Sequence, residues 1–209
     1  MFLRDLPTPA RARRLLGFAA VLACGGVLAS PAHADSSFNF KMVRTKGLPE
    51  GCAEKATASV HVDTSPGFTE KLVIKVSGFK PNTPLVLFAI QVPNAPFGIG
   101  WYEGDVAIGP TGKATETFIS RFNVETEALA PVGVAPAPNT HPGDDATKNP
   151  VFKPVHTYHL GIWFDSVEAA VANGCPANKT AFNGDHTAGP QVLNTGGFKE
   201  LAGPLARIN

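Results

Sequence analysis

The residues with a claim to chemistry fall into a few small groups. Glu103 and Asp105 flank Gly104. On an extended strand that spacing puts both carboxylates on one face, where a pair can do acid/base work on a glycoside. Near a strand end the same pair also reads as ordinary solvated charge. His156 and His159 lie three apart, which on a strand sends them to opposite faces. A shared metal would need the strand to begin after His156, with His61, His141 or His186 joining from elsewhere; unpaired surface histidine is the simpler reading. Asp144 and Asp145, with Asn139 and Asn149, could offer oxygens to calcium, but the ordered spacing of a calcium loop is missing. Aromatic residues make two groups: Phe97, Trp101 and Tyr102 in one, Trp163 in the other. Such rings on a β surface anchor a partner or stack on a sugar. They are core if a second sheet or a loop covers them, which is the preferred reading. There is no G-x-S-x-G, no H-E-x-x-H, no phosphate loop and no dinucleotide fingerprint. No catalytic residue, metal ligand or cofactor is assigned.

The first 34 residues read as a leader. Arg4, Arg11, Arg13 and Arg14 form a basic start, Leu15–Leu28 a broken apolar run, and Ala32-His33-Ala34 a small-x-small cleavage site. Paired Arg13-Arg14 loosely fits a twin-arginine signal. The alternative is Val21-Leu22-Ala23-Cys24, which resembles a bacterial lipoprotein box with Cys24 as the lipidated residue. Cleavage after Ala34 would leave 175 of the 209 residues, enough for one domain with a sizeable core. It removes four Arg and one Asp from 18 basic and 17 acidic residues, leaving 14 and 16, a formal charge of −2. That balance gives no sign of nucleic-acid binding, and no later apolar run is long enough to span a bilayer. Cys52 and Cys175 are then the only cysteines. In an exported chain such a pair is expected to be a disulfide; a redox pair would favour C-x-x-C spacing.

The elements that must position these groups are read from periodicity. Thr57–Asp63 alternates apolar Ala58, Val60 and Val62 with polar neighbours, as a half-buried strand does. Leu72, Ile74 and Val76 continue the pattern in Lys71–Ser77. Gly78–Pro84 is a turn of Gly, Pro and Asn. Leu85–Val92 is apolar almost throughout, a strand covered on both faces. Further strands are predicted at Trp101–Ile108, Ala114–Phe122, Tyr158–Phe164 and Gln191–Thr195. Ser166–Ala172 should be a short helix capped by Ser166. Asp35–Ala56 reads as an irregular arm and Gly196–Asn209 as a tail. Glu125–Val155 holds six prolines and no period; a loop this long is a crossing or a binding element. It is expected to lie across a sheet face, over Trp163 or the Phe97–Tyr102 group. The division is therefore a leader at 1–34, an arm at 35–56 and an all-β domain at 57–209, a single β-sandwich with one short helix and a long Pro-rich loop.

The stretch Val76-Ser77-Gly78-Phe79-Lys80-Pro81-Asn82-Thr83 resembles the turn after an early strand in immunoglobulin-like modules of secreted bacterial proteins. The resemblance implies an immunoglobulin-like sandwich that binds or spaces rather than catalyses. The expected function is an exported, non-catalytic module that binds a protein or carbohydrate at or outside the cell envelope. The alternatives are an exported hydrolase with an unrecognised site and a metal-binding envelope protein.

Overall fold

A computed structural model describes residues 37–65, 69–122, 157–180, 187–200 and 202–208. The expected leader and cleavage site and the Pro-rich stretch Glu125–Val155 lie outside them, as do His141, His156, His186, Asp144 and Asp145. The described chain is mostly β. In order it forms β1 (Ser37–Arg44), β2 (Thr57–Asp63), β3 (Glu70–Ser77), β4 (Pro84–Ile90), β5 (Gly100–Ala107), β6 (Lys113–Ser120), β7 (His159–Phe164), a short helix α1 (Val167–Ala172) and β8 (Gln191–Asn194). All pairings are antiparallel, in one spatial order, β5-β4-β7-β8-β1-β2-β3-β6.

Alternation in the sequence becomes the wall of the core. Leu72, Ile74 and Val76 of β3 and Val60 and Val62 of β2 are buried on one side. They face Leu85 and Leu87 of β4 and Leu160, Ile162 and Phe164 of β7 across one apolar interior. The two halves of the order face each other as sandwich layers do, but β1 joins them into one continuous sheet. Its residues Ser37 to Met42 pair with β2, while Val43 and Arg44 pair with β8. At the far ends β5 and β6 also approach. A Cβ on Gly104 of β5, whose φ is +149°, would stand 2.9 Å from the Phe118 ring of β6. The sheet is thus curled nearly into a barrel, the arrangement that leaves the least strand edge open.

Two expectations are corrected. The arm at 35–56 is not irregular throughout: Ser37–Arg44 is a strand in the middle of the order, with Phe38, Phe40 and Met42 pointing into the core. Nor is Gly196–Asn209 a loose tail. Pro204–Arg207 forms a 3-10 turn, Leu205 and Ile208 are buried, and the Arg207 guanidinium lies 4.2 Å from the centre of the Phe38 ring. Phe38, Phe40 and Met42 alternate as in a strand, and Leu205 and Ile208 anchor the C-terminal segment; both segments are ordered because the core receives these side chains.

The disulfide is formed as expected. Cys52, in the β1–β2 connection, bonds Cys175 just after α1 across 123 residues of sequence. Asn173, the C-cap of α1, stitches the same corner. Its side chain accepts from the Lys80 amide at 2.9 Å and donates to Thr83 Oγ1 and Ala169 O, both at 2.9 Å. Its carbonyl accepts from Ala53 N at 3.1 Å.

Candidate functional site

The four aromatic candidates do not make one exposed surface. On the outer side of β4 and β7, Val86, Phe88, Ile90 and Trp163 form a second small core with Phe97 packed on it. Trp163 has no exposed surface; Phe97 and Phe88 pack edge-on to it at 5.0 and 5.4 Å. Trp101 packs against the main core from β5. Tyr102 alone is largely open, 49% exposed, and its hydroxyl donates to Asp105 at 2.6 Å. Burial, then that bond, pushes the phenol up to about 12. Continuing along the outer side, β7 and β8 are buried and polar. His159 Nε2 donates to Glu200 O and its Nδ1 meets Thr195 Oγ1, both at 2.8 Å. Asn194 donates to Gln191 Oε1 at 2.8 Å and to Pro93 O at 3.0 Å.

The carboxylate pair is split by a bulge. The β4–β5 register slips so that Leu87 faces Gly104 while Phe88 faces Tyr102, leaving Glu103 as the extra residue. Asp105 turns to Tyr102. Glu103 turns to Ser120 on β6, which donates to it. Opposite Ser120 on β3 is Glu70, buried, its carboxylate accepting from Phe122 N at 2.7 Å. Burial raises Glu103 from 4.5 to about 7, and one of its oxygens is buried without a hydrogen bond. A raised carboxyl suits a general acid. The bulge, however, denies it the same-face partner that the two-residue spacing promised.

Among the described residues no group of three or more His, Cys, Asp or Glu converges on a metal-sized space. His61 stands on the outer side of β2 beside Asn39, 2.9 Å from its Oδ1, and His159 is in the buried layer on β7. The sequon Asn178-Lys179-Thr180 is on the surface after the disulfide, with Asn178 exposed.

The outer side of β1, β2, β3 and β6 has a different character. Alternation turns every second residue outward, and the ladders align these into rows across the strands. One row is Lys41–Ser59–Lys75–Thr115 and the next Asn39–His61–Val73–Thr117. Beyond them lie Ser37–Asp63–Lys71–Ile119 and, on the other side, Thr57–Ser77–Lys113. Every one of these side chains is exposed or half-buried. Lys71 stands directly opposite Asp63, a favourable cross-strand pair. The Ser65 hydroxyl and amide hold the Asp63 carboxyl below its usual range, helped by His61 and Lys71. Lys41, Lys75 and Lys113 have no such carboxylate in their rows.

Two grooves share the Lys41–Ser59–Lys75 row as a wall. One, of about 470 Å³, runs between that row and Thr57–Ser77–Lys113. Its floor includes Met42, Ala58 and Val76, whose side chains face the core, so they offer main chain to the groove. The other, of about 290 Å³, runs toward His61 and Val73. From the sequence, Ser59, His61, Asp63, Lys71, Lys75 and Ser77 read as the polar half of an alternation, whereas Ser37, Asn39 and Lys41 fell in the expected arm. Which of them become neighbours depends on register between distant strands, and that was not legible.

No protein-family model, curated protein or solved structure shows significant similarity to this chain.

Proposed function

We propose that the protein is an exported, non-catalytic binding module acting at or outside the cell envelope, and that it takes its partner on the open face of β1, β2, β3 and β6. The carrying observation is the contrast between the two outer sides of the sheet. Over β4, β7 and β8 the outward residues are buried in a second layer. Over β1, β2, β3 and β6 they stand open in rows of lysine, hydroxyl and amide groups around two grooves. Export is supported by the Arg-rich leader with Ala32-His33-Ala34 and by a disulfide of the kind that persists in oxidising compartments. The resemblance of Val76–Thr83 to a turn of immunoglobulin-like modules supports the same role, since such modules bind or space.

The test is residue-level mapping on the exported chain. Soluble glycans, neutral and charged, and envelope-derived polymers are added to labelled protein, and amide shifts are followed. Shifts concentrated in the Lys41 and His61 rows support the reading. Shifts confined to other surfaces, or no binding from the whole panel, overturn it. N-terminal sequencing of the exported form should begin at Asp35; a lipid on Cys24 would instead place the module on a membrane.

A further inference from the structure

We propose that the groove between the Lys41–Ser59–Lys75–Thr115 and Thr57–Ser77–Lys113 rows binds a linear acidic polysaccharide, with Lys41, Lys75 and Lys113 meeting its carboxylates. This rests on the open face being the binding surface. Adjacent strands are about 4.8 Å apart, so Lys41 and Lys75, two strands apart with Ser59 between them, carry their stems about 10 Å apart. That is close to the repeat of a disaccharide. Lys113 stands diagonal to Lys75, since Lys75 faces Thr115. Diagonal neighbours are also within reach of long side chains. The three lysine stems therefore surround one groove, Lys41 and Lys75 at about a disaccharide's length and Lys113 diagonal to Lys75.

The remaining chemistry selects a sugar chain over other polyanions. Ser59, Thr57, Ser77 and Thr115 line the same groove, and their hydroxyls match those of a sugar ring as both donors and acceptors. The four rows contain no Phe, Tyr or Trp, and their one ring, the His61 imidazole, is tied to Asn39 Oδ1 at 2.9 Å, so single-stranded nucleic acid finds no succession of platforms for its bases. They contain no arginine either, and the fork geometry favoured for phosphate is missing. A membrane would find two apolar side chains in those rows, Val73 and Ile119, where interfacial binding needs a continuous apolar face. The exported chain is slightly acidic overall, with a formal charge of −2 after removal of the first 34 residues. Three lysines with no carboxylate in their rows are, on such a chain, a local complement to an anionic ligand.

The experiment measures binding of alginate oligosaccharides to the exported, disulfide-bonded chain by calorimetry at two salt concentrations. Dextran, a thymidine single strand and phosphatidylglycerol vesicles are run alongside. Alginate is expected to bind, more weakly at high salt. The double variant Lys41→Glu/Lys75→Glu should lose about tenfold or more in affinity, and Lys179→Glu, exposed and not among the residues that line either groove, should lose none. All three positions are exposed strand or loop surface, and the circular dichroism and melting of each variant should match the parent. Binding of alginate that is unaffected by the double variant overturns the proposal, as does tighter binding of the single strand or the vesicles. Shifts in the rows with dextran but not alginate overturn the acidic ligand and leave the binding module standing. Shifts from no ligand in the wider panel overturn both.

Discussion

Glu103 and His159 carry opposite pH sensitivities. Glu103 is raised by burial from 4.5 to about 7. A carboxyl with a raised folded pKa holds its proton more tightly in the native state, so stability falls as pH rises from about 4.5 to about 7. The cost is on the order of 3 kcal/mol when complete. Glu103→Gln keeps the shape and removes the charge. It should match the parent near pH 4.5 and exceed it at pH 8, read from urea midpoints. Equal midpoints at pH 8 would mean the carboxyl is not desolvated. His159 is lowered by burial, with hydrogen bonds to Glu200, Lys199 and Thr195 acting the other way. Glu200 O can only accept, so in the neutral ring Nε2 carries the hydrogen and Nδ1 accepts from the Thr195 hydroxyl. A folded pKa below the usual 6.5 means its stabilisation is complete above 6.5 and is lost as pH falls through the folded value. His159→Gln should lower stability at pH 8 and show a shallower decline between pH 6.5 and 5 than the parent. A parallel decline would assign the acid sensitivity to another group.

The elements meet at points where only certain residues fit. Gly78, at the turn after β3, has φ +89° and lies against the β1–β2 connection. A Cβ there would stand 1.8 Å from the carbonyl oxygen of Lys55. Gly78→Ala therefore needs both a strained backbone and a displaced main chain, and should cost about 2–4 kcal/mol. The loss is measured as a fall in urea midpoint with the slope unchanged; a cost below about 0.5 kcal/mol, the range of neutral surface changes, would show that the turn is not packed this way. At the opposite seam, Gly104 lets β5 and β6 come together by leaving room for Phe118. The bulge beside it decides the fate of the carboxylate pair. Two-residue spacing places Glu103 and Asp105 on one face only if the strand is regular, and the extra residue in β5 cancels that rule.

At the scale of the molecule, the Cys52–Cys175 bond spans 123 residues. The chain-entropy model gives about 5 kcal/mol for so long a loop, an upper figure because native strain subtracts from it. Replacing both cysteines by alanine should lower stability by about 2–5 kcal/mol without altering the register, checked by urea unfolding and by amide-exchange protection of β2 and β3. A double variant as stable as the parent would show that the Asn173 corner holds the two segments unaided. The curled sheet also explains why one outer side is free. The described segments that cover outward residues lie over β4, β7 and β8: Phe97 packs on Trp163, Pro93 O accepts from Asn194 and Glu200 O from His159.

Most of the elements follow from local patterns in the chain. Period-two alternation placed β2 and β3, an unbroken apolar run placed β4 as a strand buried on both sides, and Ser166 placed the start of α1. These are local signals, because side-chain direction and capping are decided within a few residues. The two cysteines were also legible as a pair by elimination. β1 carried the same alternation, Phe38, Phe40 and Met42 against Asn39 and Lys41, but its place in the middle of the sheet depends on pairing with β8, far along the chain. Only tertiary structure decided which rows the outward residues form, because register joins residues such as Lys41, Lys75 and Thr115 through ladders that no local pattern encodes. The same holds for the aromatic candidates. Trp163 is buried and Tyr102 open because of what packs over each strand, a property of the assembled sheet that the spacing of the residues does not carry.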